Sequence, residues 1–349
     1  MDMKRHYYED IQIFQKPVHV FWFVVLLVGL VILPLVTRNY TMSLVNFIAI
    51  NVIVTLGLNL LVGYTGQISL GHAGFVAIGA YATVLLMQHL GLNFLQALVL
   101  AGFVAAGFGF LLGLPALRLE GPYLAIATLG FGMAVTQIIG RSTFFGGRMG
   151  LKVPKINIAG ITLSSDKELY IVIISITVLM AFAMRNLTRS RVGRALIAIR
   201  ESDIAAETLG VNLAWYKTLS FAVSAFYAGV AGGLLAIIFG YINPSIFDFV
   251  MSILFLAMVV VGGAGAILGS ILGGIVVTFL DLKLNAVTSM PLIGDLLREI
   301  STRWMSVSGL PNFRSVLFGI LLILFVVFEP HGLYGIWLRI KKYWKTWPF

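Results

Sequence analysis

The chain has 349 residues, of which 59% are hydrophobic and only 11% charged, and its mean hydropathy is +0.99. Soluble domains are about a quarter charged, so this much apolar surface calls for a bilayer rather than a soluble core. The net charge of +10 then points to basic loops against anionic lipid rather than to nucleic acid, and the absence of cysteine excludes disulfides and thiolate metal sites.

In chain order, the polar stretch Met1 to Pro17 runs into the first of ten apolar segments of spanning length. These fall at about 19–36, 42–62, 67–88, 93–116, 122–140, 169–185, 217–240, 247–262, 265–281 and 315–329, on a ruler of roughly 20 residues per span. The first is too long for a signal-peptide core and no small-x-small cleavage site follows, so it reads as a retained span. The expected fold is all-α: a polytopic helical bundle of about ten transmembrane helices, one membrane domain over residues 1–349, with both termini cytoplasmic. Arg185, Arg189, Arg191, Arg194, Arg200 and Lys217 lie between the sixth and seventh spans. Arg339, Lys341, Lys342 and Lys345 lie in the C-terminal tail, and the excess of Lys and Arg puts both regions inside.

Two non-spanning pieces carry structure of their own. Residues 185–216 hold an apolar stripe, Val192, Ala195, Leu196 and Ile199, at the spacing of one helical face. Ser202 or Asp203 can cap a second short helix there and Gly210 can end it. The stripe needs cover, either from the chain's own spans and lipid or from a groove on a soluble partner. Residues 282–314 place Leu292, Ile293, Leu296, Leu297, Ile300 and Trp304 on one face, an amphipathic helix on the outer surface. It reads as a membrane anchor or as a landing place for an external binding protein.

The chain lacks a motor of its own. No Gly-x-x-x-x-Gly-Lys-Ser/Thr loop cradles a phosphate, and no paired carboxylates, zinc-site helix or nucleophile elbow occurs, so no catalytic, cofactor or metal site is expected. Glu120, Asp248, Asp281 and Glu329 all fall at predicted span ends. A lone His72 suits a structural or hydrogen-bonding role better than a proton relay.

The run Gly57 to Phe75 is so rich in glycine that a continuous helix is disfavoured. Broken helices at membrane depth are tolerated only beside protein or a water-filled cavity. Asn59, Thr65, Gln67, Ser69 and His72 offer uncharged polar groups that suit a zwitterionic solute passed along a pathway. Close helix packing through small residues explains the same glycines.

The run Gly193 to Val211 resembles the coupling loop of LIV-type branched-chain amino acid permeases (the LivM type) of ABC importers. Ala205-Ala206 followed by Gly210 is similar to the Glu-Ala-Ala-x-x-x-Gly signature of bacterial importers, with Ile204 in place of Glu. The runs Gly57 to Phe75, Leu117 to Gly132, Val261 to Gly265 and Pro330 to Leu333 resemble further blocks of the same family. Phe145 departs from the usual Thr in its Thr-Gly-Gly-x-x-Gly block, which also carries Arg148. The resemblance implies ATPase coupling through Arg194, Ala195, Ile199, Arg200, Glu201, Ala205, Ala206, Leu209 and Gly210. It also implies a second homologous permease subunit, two cytoplasmic ATP-binding subunits and an external solute-binding protein as partners in the cytoplasmic membrane. Branched-chain amino acids lead as substrate, with urea, short amides or other amino acids possible within the superfamily. A stand-alone channel or ion-coupled carrier is the rival of a different class.

Overall fold

The computed structural model describes residues 39–288 apart from 120, 155, 159, 160 and 164, residues 331–346, and scattered residues of 21–37 and 318–329. Among the described residues, seven helices are long and apolar enough to cross a membrane. They are α1 (Asn39–Asn59, extended by a π-helical turn Leu60–Tyr64), α2 (His72–Leu90), α3 (Phe94–Ala116), α4 (Pro122–Arg141), α5 (Asp166–Arg189), α8 (Leu213–Phe239) and α9 (Phe249–Gly262, entered through a 3-10 turn at Pro244–Ile246). Between α5 and α8 lie two short helices, α6 (Arg191–Glu201) and α7 (Asp203–Thr208). Helices α10 (Ile267–Thr288) and α11 (Gly332–Thr346) complete an all-α polytopic membrane bundle. The expected spans 19–36 and 315–329 are described only at scattered residues, and the outer amphipathic segment 282–314 lies outside the described residues beyond residue 288.

Local signals place most helix starts. Ser165 and Glu168 form a reciprocal capping box at α5, and Asn212 accepts from the Trp215 amide at α8. These caps extend both helices past their apolar runs, so α5 begins at 166 rather than 169 and α8 at 213 rather than 217. The largest departure is α2, which begins at His72 instead of 67, because Gly66 takes a positive φ of 75° and residues 67–71 are not helical.

Helix α8 forms the centre, packed on α1, α2 and α3. Helices α1 and α8 are 78% and 72% buried over their apolar windows, against 22% for α4 and 28% for α5. Small residues let the central backbones touch: a methyl group on Gly79 of α2 would overlap the Gly229 carbonyl of α8. Without a hydrophobic drive between helices in lipid, this close packing is a main source of cohesion. Outside the bundle, two-residue strands β1 (Leu151–Lys152) and β4 (Tyr241–Ile242) pair antiparallel, as do β2 (Ile156–Ile158) and β3 (Ile161–Leu163), small elements that the apolar pattern does not foreshadow.

The two ends of the bundle are distinct. At one end Arg200 of α6 reaches Gly63, and Gly263 lies against His331 and Tyr334 at the start of α11. At the other end the Gln88 amide donates to the Lys152 carbonyl, and β1 pairs with β4. The α6–α7 hairpin and α11 therefore share an end.

Candidate functional site

The α6–α7 hairpin is the first feature. Ser190 caps α6 by accepting from the Val192 amide at 3.1 Å, and Ser202 caps α7 by accepting from Ala205 at 3.2 Å. Gly210 closes it at a φ of 83°, a left-handed turn that glycine adopts without strain. Between the two residues that could cap α7, the structure uses Ser202; Asp203 instead pairs with Lys217 of α8. The stripe Ala195, Leu196 and Ile199 is buried, with Val192 packed against the same core, so it finds its cover within the chain. Ala206 is buried as well. Facing outward are Arg194, Glu201, Ala205, Ile204 at 78% exposure and Leu209 at 81%. The residues that the family resemblance groups together thus divide between an inner and an outer face.

Arg200 belongs to neither set alone. Its Nη1 donates to the Gly63 carbonyl at 2.8 Å, in the π-helical turn that ends α1. Its Nε and Nη2 donate to Glu201. A charge-assisted bond to a helix-terminal carbonyl supplies the partner that the broken helix cannot.

The interrupted segment between α1 and α2 is the second feature, and its polar residues differ in how they are satisfied. Asn59 donates to the Ala266 carbonyl at 3.0 Å and to Ser270 Oγ at 2.6 Å, and it accepts from the Gly265 amide at 2.8 Å. Thr65 donates to the Leu60 carbonyl at 2.8 Å, and Gln67 Oε1 accepts from Ser220 at 3.0 Å. Ser69 Oγ and both ring nitrogens of His72 are buried with no hydrogen-bond partner among the described residues. His72 makes an edge contact with Phe75. The five residues therefore separate into two that cross-link the bundle, Asn59 and Gln67, one that closes its own turn, Thr65, and two that are polar and unpaired among the described residues.

Beside this break, an open crevice is lined by Leu70, Ala73 and Gly74, by Leu129, Gly132, Met133 and Thr136 of α4, and by Phe247, Asp248, Phe249 and Ser252 around the start of α9. The Ala73 amide donates to Ser252 Oγ at 3.0 Å, and the Leu70 amide to Thr128 Oγ1 at 3.0 Å. Thr128, Ser220 and Ser252 are absent from the sequence-based site. Their only signal is a hydroxyl inside an apolar run, which packing accounts for equally well.

An all-helical bundle with seven membrane-length helices and one interrupted span at its core defines a multi-pass integral membrane protein. A family profile described as "Branched-chain amino acid transport system / permease component" matches residues 40–326, and the chain belongs to that family. It is similar to the high-affinity branched-chain amino acid transport system permease protein LivM of Salmonella typhimurium and of Escherichia coli. Each is 34% identical over 268 residues, which cover 70% of this chain and 58% of the relative. The permease protein BraD of Pseudomonas aeruginosa is 32% identical over 166 residues, 47% of each chain. The chain thus spans less than three-fifths of the length of the LivM relatives. No solved structure matches it.

Proposed function

We propose that this chain is a transmembrane permease subunit of an ABC importer for branched-chain amino acids in a prokaryotic cytoplasmic membrane. It works by alternating access, with ATP hydrolysis in separate subunits and none in this chain. A second, related permease completes the pathway, two ATP-binding subunits dock at the hairpin end, and an external binding protein delivers solute at the other. The proposal rests on the family and the relatives' names, and one observation carries it furthest. The α6–α7 hairpin is anchored to α1 and α8 through Arg200–Gly63 and Asp203–Lys217, yet it exposes Ile204 and Leu209 outward. Anchored on one face and apolar on the other, such an element suits the transmission of a partner's movement into the spans.

Affinity purification from the native membrane, followed by uptake in proteoliposomes, tests the reading. Co-purification of an ATPase subunit and ATP-dependent uptake of leucine, isoleucine or valine is the expected result. Uptake by the purified chain alone, without ATP, would instead mark a channel or carrier.

A further inference from the structure

Resting on the permease reading, we propose that Asp248 and Ser252 of α9 form a substrate subsite that holds the ammonium and carboxylate of an amino acid with an apolar side chain. From sequence, Asp248 marks a span end, where a carboxylate is unremarked. Helix α9, however, is only 14 residues long and covers about 21 Å at 1.5 Å per residue. Its other end, Gly262, lies at the hairpin end of the bundle beside Gly263, which packs on His331 and Tyr334. Asp248 therefore sits about 21 Å inward from that end, inside a hydrocarbon layer about 30 Å thick. Helix α4 agrees in placing the crevice within the bundle: its lining residues Leu129, Gly132, Met133 and Thr136 lie about 10 to 21 Å along it from Pro122.

A carboxylate at that depth is costly against lipid, so the crevice mouth faces water or another subunit. Asp248 Oδ1 accepts from the Met251 amide at 2.9 Å, and its other oxygen has no partner among the described residues. One turn on, Ser252 is buried; its Oγ accepts from Ala73, and its own proton has no acceptor among the described residues. Side chains four apart on a helix stand about 5–6 Å from each other. That spacing suits the two charged ends of an α-amino acid, ammonium to carboxylate and carboxylate to hydroxyl. Leu70, Leu129, Met133 and Phe247 supply apolar walls for its side chain.

Asp248 also caps α9, and the test separates charge from cap. The assembled complex is reconstituted with its ATPase and binding protein, and radiolabelled leucine uptake is measured for the unaltered chain, Asp248→Asn, Asp248→Ser and Asp248→Glu. Asn and Ser cap as well as Asp does but carry no charge, whereas Glu keeps the charge and caps poorly. The expected order of uptake is Asp, then Glu, then Asn and Ser, with Asn down at least about tenfold while assembly and basal ATPase activity hold. Uptake by Asn within twofold of the unaltered chain, or above that of Glu, overturns the subsite. Failure of Asn and Ser alike to assemble makes the carboxylate structural and also overturns it. An unaltered complex that takes up no amino acid overturns the permease reading along with the subsite, and is recognised because it involves no substitution.

Discussion

Three hydrogen bonds tie Asn59 to Ala266, Ser270 and Gly265, more than 200 residues away in sequence. Removing its amide leaves the half-buried Gly265 N–H without its partner, a loss of about 1–3 kcal/mol in water and less in membrane proteins, and takes one donor from the Ala266 carbonyl, which Ser270 still bonds. Asn59→Leu is therefore expected to destabilise the chain by about 2 kcal/mol, read as a lower Tm in detergent. Ser69 should behave in the opposite way. Its hydroxyl has no partner among the described residues, so Ser69→Ala leaves Tm unchanged or raised, while leucine uptake by the assembled complex falls severalfold. Equal loss of Tm in both variants would remove the distinction between scaffold and pathway. In sequence the two residues are alike, polar positions in a glycine-rich run. What sorts them is the approach of a turn at 263–266, which no local spacing contains.

At the scale of elements, the α6–α7 hairpin was largely legible because its signals are local. One cap position, one terminal glycine and a four-residue apolar spacing were enough to place both helices, while the Ser190 cap of α6 was not read. The outward face was not legible, because an amphipathic stripe states that it needs cover without naming what covers it. The stripe on α6 is taken up by the chain itself, and the most exposed apolar side chains of the hairpin are Ile204 of α7 and Leu209 at its C-cap. Leu209→Lys should thus abolish co-purification of the ATPase subunits without moving the Tm of the chain, since an 81% exposed side chain has little packing to lose. Ala206→Glu, by contrast, puts a charge at a buried position and should lower the Tm of the chain itself. Arg200 makes a third class. Arg200→Ala removes the bond to Gly63 but leaves the outer face of α7 intact. The complex should assemble and hydrolyse ATP while uptake per ATP falls at least severalfold; unchanged coupling would show that the bond transmits nothing.

The whole molecule makes its strongest topological statement through contacts rather than through a span count. Counting apolar runs leaves orientation dependent on parity, and one misjudged segment inverts it. The contacts of Arg200 with Gly63 and of Gly263 with His331 and Tyr334 put the hairpin and α11 at one end, independent of how many segments lie between them. The Gln88–Lys152 bond and the β1–β4 pair mark the other end. Basic residues crowd the first end, which the charge bias assigns to the cytoplasm. Because the chain has no cysteine, single substitutions can report sidedness without background. Leu209→Cys and Trp344→Cys, at exposed positions of the hairpin end, should react with a membrane-impermeant maleimide only after cells are permeabilised. Met149→Cys, 82% exposed and adjoining β1 at the opposite end, should react in intact cells. Labelling of all three from one side would break the two-ended architecture. A clean reversal, with Leu209→Cys and Trp344→Cys labelled in intact cells and Met149→Cys protected, would preserve the architecture but move the hairpin outside, which would overturn the proposed docking of ATPase subunits there.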